Sequence, residues 1–148
     1  INSGIDHFSN FAIHCKNIEK EQDQKIKEIK KKEYGAKFPK SLESDRVSEW
    51  EKILYTELYK SGIKTLPQYD IEKYRLDLAL IKDTKKLDIE VDGERYHRNW
   101  NGELCRRDQL RNQRLFELGW DVMRFWVYEI RDNLPSCIKK VEKWKNLN

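Results

Sequence analysis

Apolar and polar residues change their period several times along this chain, and the changes mark its elements. Val47, Trp50, Leu54 and Leu58 recur at the spacing of one helix face, so a helix is predicted from about Ser44 to Tyr59, stopped by Ser61-Gly62. Extended segments follow at Leu66–Ile71, Tyr74–Lys82 and Leu87–Asp92, and Asp83-Thr84-Lys85-Lys86 reads as the turn between the last two. A second helix is predicted from about Gly102 to Leu118, closed by Gly119. Trp120–Val127 reads as a strand, Tyr128–Asp132 as a short helix and Pro135–Trp144 as a final one. The order α-β-β-β-α-β-α predicts one α/β domain.

Ahead of Ser44 the pattern is different. From Asn17 to Lys37 the text is lysine and glutamate with sparse Ile18, Ile26 and Ile29. Residues 1–40 carry nine lysines against six acids, which is most of the formal charge of +4. A solvated Glu/Lys helix or a linker is the plain reading; a basic arm that follows a phosphate backbone is the sharper one. Phe38-Pro39-Lys40-Ser41 breaks the run, so the boundary is placed there: an arm over 1–40 and a domain over 41–148.

Composition narrows the class. A charged fraction of 38% is above the roughly 25% of average domains, but five Trp, seven Tyr and five Phe argue against disorder. No run approaches the roughly 18 apolar residues of a membrane-spanning helix. Cys15, Cys105 and Cys137 are odd in number and far apart, which suits neither a disulfide framework nor a zinc site and predicts a reducing, cytoplasmic setting. The chain opens on Ile and not on Met, so it is expected to be part of a longer protein.

The candidate chemistry lies on the polar faces of the strands. Side chains alternate across a strand, so Leu76, Leu78 and Leu80 share one face while Arg75, Asp77 and Ala79 share the other. Likewise Leu87, Ile89 and Val91 face the core, and Asp88, Glu90 and Asp92 do not. Pairing the strands across residues 83–86 without a bulge puts Asp77 opposite Asp92 and Ala79 opposite Glu90. Like charges so placed repel by roughly 4 kcal/mol per pair at about 4 Å and an effective dielectric near 20. Folding does not ask for that, and a hard divalent cation would relieve it. The plain alternative is a solvent-facing sheet with unrelated acids, neutralised by Arg75 and Lys86.

Other residues converge on this patch. Glu51 falls on the inward face of the first helix and needs an internal partner, a metal-bound water or a lysine. Asp108 shares a face with Leu104, Leu115 and Leu118. It either pairs with Arg111, one turn on, or orients a histidine or a metal ligand. His97, the one histidine of the compact region, follows the acidic strand end and can take a proton from water near neutral pH. Between positions 95 and 114 there are six arginines, interleaved with Tyr96 and Trp100. Guanidinium forks suit phosphate and aromatic faces suit bases, although a solvated helix face would look the same.

Together, Asp77, Glu90-Val91-Asp92-Gly93, Tyr96-His97, Arg107-Asp108 and the run from Glu117 to Trp126 resemble the very-short-patch-repair-like branch of the PD-(D/E)XK nucleases. The likeness spans about residues 45–132. It is nearest to phage homing endonucleases with an EDxHD motif, whose letters would fall on Glu51, Asp77, His97 and Asp108. The resemblance implies an α/β (α+β) domain of restriction-endonuclease-like type, a mixed β-sheet flanked by helices. It also implies an endonuclease that makes double-strand breaks in DNA with Mg²⁺, or Mn²⁺ in its place, and that could dimerise on its substrate. Asp77 would hold the metal with Asp92 or Glu90, and Glu51 would reach the site through a metal-bound water. His97 would accept the proton of the attacking water and Asp108 would orient it. Arg95, Arg98, Arg106, Arg107 and Arg111 would hold the DNA backbone. The lysine that the motif places two residues after Glu90 is Asp92 here, and Leu76, not proline, precedes Asp77. The rival readings are a nuclease module of a helicase or restriction system, a DNA-binding module that does not cleave, and a protein-interaction domain with an acidic groove.

Overall fold

The structure, a computed structural model, describes residues 34–93 and 102–147, without the side chains of 102–105. The arm expected over 1–40 lies outside the described residues as far as position 33. Past that point the chain already packs on the domain. Phe38 is buried edge-on against Tyr55, with ring centroids 5.6 Å apart, and the Tyr55 hydroxyl donates to the Gly35 carbonyl at 2.6 Å.

Helix α1 (Glu49–Lys60) starts later than the apolar spacing suggested, because Ser48 caps it. The Ser48 hydroxyl accepts from the Glu51 N–H, and the Glu51 carboxylate accepts from the Ser48 N–H, a reciprocal capping box. At its far end Gly62 turns left-handed at φ 81°, which lets the Ile63 N–H reach back to the Leu58 carbonyl at 2.8 Å.

Strands β1 (Leu66–Ile71), β2 (Tyr74–Lys82) and β3 (Lys85–Asp92) run antiparallel in sequence order. Helix α2 (Gly102–Glu117) lies between β3 and β4 (Trp120–Trp126) in the chain, and these two strands are parallel, as a helical crossover allows. Helix α3 (Val127–Asn146) follows, broken at Asn133 two residues ahead of Pro135. The break yields the two helical pieces that the sequence predicted. The result is a four-stranded mixed sheet flanked by three helices, an α+β fold. Among the described residues no helix is long and apolar enough to cross a membrane.

The turn between β2 and β3 corrects the expected register. It is a two-residue hairpin of Asp83 and Thr84, with Asp83 at φ 55° and Lys82 paired to Lys85. Ala79 therefore faces Asp88, not Glu90, and the pairing ends at Leu78 and Ile89, so Asp77 is not paired with Asp92. A slip of two residues preserves the face on which every side chain lies.

On one face, Leu78, Leu80, Leu87, Ile89 and Phe125 form the main core with Leu54, Tyr55 and Leu58 of α1 and Ile130, Ile138 and Val141 of α3. Leu115 and Leu118 of α2 are buried too, and Tyr69 meets Trp120 with ring centroids 5.5 Å apart. The end of α3 is tied to the β2–β3 hairpin. Lys82 Nζ donates to the Lys145 carbonyl at 2.7 Å, and Lys85 Nζ to those of Trp144 and Leu147.

Candidate active site

The sheet opens at Asp77. Regular pairing of β2 with β3 extends to Leu78 and Ile89. Just beyond, the Val91 N–H donates to Asp77 Oδ2 at 2.9 Å, so a side-chain carboxylate stands where a ladder carbonyl would. On the other side of β2, Gln68 sits between the pairs Pro67–Leu78 and Tyr69–Leu76 with φ 50°, and its amide donates to Glu51 Oε1 at 3.5 Å. The β2 strand thus carries Asp77 at a point where β1 departs from strand geometry at Gln68 and the regular pairing with β3 has ended.

Glu51 is buried, 3% exposed, and meets Asp77 across this gap. Burial, then the hydrogen bond and negative charge of Asp77, raise its pKa to about 8 against the pull of Ser48. Its partners are Asp77, Gln68 and the Ser48 N–H, and the lysine expected as an alternative partner is not among them. The sign for stability follows. The folded state holds a proton that the unfolded chain releases near the ordinary glutamate value. The stabilisation is complete at acid pH and is lost as pH rises through about 8. Thermal melts of metal-stripped protein in EDTA should show Tm falling between about pH 5 and pH 8, and Glu51→Gln should flatten that slope. A slope unchanged by the substitution would remove Glu51 as its cause.

Two arginines organise the remaining acids. Asp88 is fully buried in the middle of β3, and Arg111 Nη2 donates to its Oδ2 at 3.0 Å. The same nitrogen also donates to Glu90 Oε1. Burial raises Asp88 to about 7 despite Arg111, and the charges of Asp77 and Asp92 add to the rise. Asp108 does not pair with Arg111. Arg124, level with Glu90 on β4, donates to Asp108 Oδ1 and lies 3.4 Å from Asp92 Oδ2, while Asn112 Nδ2 donates to Asp108 Oδ2 at 3.3 Å. Burial likewise raises Asp92.

A cleft of about 320 Å³ is lined by Glu90, Asp92 and Asp108 interleaved with Arg75, Arg107, Arg111 and Arg124. Arg106 and Arg107 are exposed on α2. His97, Arg95 and Arg98 lie outside the described residues. Of the sequence-derived candidates, Glu51, Asp77, Glu90, Asp92 and Asp108 come together around the parted strands. Asp88, Arg124 and Gln68 were not singled out. For the first two the usable signal was strand alternation carried across the parallel pair, which puts Val122 beside Asp88 and Arg124 beside Glu90. The capping pattern Ser48-x-x-Glu51 was legible as well.

The donor chemistry fits a hard divalent cation. Asp77, Glu90 and Asp92 offer carboxylate oxygens, and Asp88 Oδ1 is buried with no hydrogen-bond partner among the described residues. Among those residues no three metal-binding side chains are gathered as they stand, since Arg111 and Arg124 hold Glu90 and Asp92.

No curated protein matches the chain. A family model for the restriction-endonuclease-like family REase_MTES_1575 matches residues 50–144, which covers nearly all of α1, the whole sheet and α3 almost to its end. The match spans well over half of the chain and the same parted strands, acids and arginines just described. The chain belongs to this restriction-endonuclease-like family, whose members are nucleases acting on DNA.

Proposed function

We propose that this domain is a Mg²⁺- or Mn²⁺-dependent endonuclease that hydrolyses phosphodiester bonds of duplex DNA, and that it serves as the catalytic domain of a homing endonuclease making double-strand breaks. The observation that supports this most is the interrupted ladder at Asp77, with Glu51, Glu90 and Asp92 around it beside an arginine-lined cleft. Asp77 with Glu90 or Asp92 would hold the cation, which when bound supplies polarisation of the scissile phosphate and a more acidic water. The protein's own groups do the rest. Arg106 and Arg107 hold the phosphate backbone. Glu51 keeps its proton against Asp77 and fixes that carboxylate. Asp108, held by Arg124 and Asn112, stands at the cleft wall. His97 is assigned the proton of the attacking water, taken as the water oxygen bonds to phosphorus and a bridging P–O bond breaks.

Supercoiled plasmid incubated with the protein should yield linear product with Mg²⁺ or Mn²⁺, and none with EDTA. Cleavage that survives EDTA would overturn the metal assignment, and intact plasmid at every metal concentration would overturn the nuclease assignment for this chain. Nicked circles that never become linear would overturn the double-strand break.

A further inference from the structure

Arg111 differs from Arg106 and Arg107 on the same helix, which are exposed. Its side chain is 16% exposed, and one nitrogen is shared between Asp88, at 3.0 Å, and Glu90. Asp88 itself serves folding poorly. It occupies a fully buried central-strand position between Ala79 and Val122, and its second oxygen has no partner among the described residues. An apolar residue there would cost less, because a buried ion pair rarely repays its desolvation.

We propose that Arg111, anchored from beneath by Asp88, is a positioning residue for Glu90. It brings in from helix α2 the cation that the residue two after Glu90, Asp92, does not provide. Asp92 follows Glu90 on the same face of β3, so a Glu90 carboxylate without a cation would have nothing to hold it beside a like charge. A guanidinium held on one side by Asp88 presents its edge to Glu90 in a fixed direction, which a flexible ammonium would not do. The assignment rests on the nuclease reading and refines it: Arg111 acts through Glu90, and the exposed Arg106 and Arg107 are the phosphate contacts.

The test separates positioning from folding and from DNA binding. The double variant Asp88→Leu/Arg111→Met removes Asp88 together with its partner and leaves Glu90 as the acid that loses its cation, so it should stay folded and melt somewhat below the wild-type temperature. Its kcat for plasmid cleavage should fall at least about thirtyfold, with KM for DNA within about threefold. A folded double variant with wild-type kcat would show the pair to be structural and overturn the proposal. Arg111→Lys, which keeps the charge without the fork and covers the case in which the double variant fails to fold, should lose about tenfold in kcat. Wild-type kcat in that variant would equally overturn it. DNA affinity in EDTA and its salt slope should be unchanged in both variants. A shallower slope would mean that Arg111 touches phosphate, against the proposal. A wild type inactive with every metal would sink the nuclease reading and this refinement together, whereas an active wild type with equally active variants would sink only the refinement.

Discussion

Asp77→Asn is expected to lower metal-dependent plasmid cleavage by about 10³-fold or more and to leave the protein folded. The carboxylate is central in three ways. It accepts the Val91 N–H where the β2–β3 ladder parts, its charge raises Glu51, Asp88 and Asp92, and it faces the gap at which the strands separate. Asparagine keeps an oxygen for the Val91 N–H and nearly the same volume, so the strands should part as before. What disappears is the negative charge able to hold a hard cation. Losing about 4 kcal/mol of charge stabilisation in the transition state corresponds to roughly 10³ in rate. Removing one charge from a crowd of like charges should hold Tm level or raise it. The paired measurement is decisive: wild-type cleavage by a well-folded Asp77→Asn protein would displace the whole site.

Arg124→Met is expected to cost about 3 kcal/mol of stability near neutral pH, read from urea or guanidinium unfolding. Arg124 bridges Asp92 and Asp108, and these carboxylates are only 12% and 14% exposed. Cutting one side of such a pair takes its cation from two largely desolvated acids, at a typical cost of about 3–5 kcal/mol. Arg124 itself is a quarter exposed, which places the estimate at the lower end. The loss should shrink towards pH 4 as the stranded carboxylates take up protons. A loss that stays constant across that range would mean that Arg124 contributes packing, not charge.

Much of the fold could be read from residue order. Alternation in Leu87-Asp88-Ile89 placed the leucine and isoleucine of β3 in the main core, whereas on β2 Leu78 and Leu80 join that core and Leu76, paired with Tyr69, is buried outside it; Gly119 and Pro135 marked the breaks around β4 and inside α3. The register could not be read as surely. Asp83-Thr84-Lys85-Lys86 suits a four-residue turn on composition, and only the left-handed backbone of Asp83 shortens it to two. The error of two residues exchanged which acid faces Ala79 but kept all of them on one side, so the acidic patch remained. The arginine partners were harder, because side-chain reach from a helix is not a property of spacing alone. Asp108 and Arg111 are one turn apart and look paired, but each finds a partner on the sheet instead.

The tie between the hairpin and the end of α3 has a consequence for how the acids find their places. Lys82 and Lys85 flank the two-residue turn that sets the β2–β3 alignment, and both are anchored by carbonyls from residues 144–147. A hairpin alone could settle in a neighbouring alignment that buries the same leucines. The last turn of α3 therefore acts as a latch on the correct one, and during synthesis it can close only after residues 144–147 have left the ribosome.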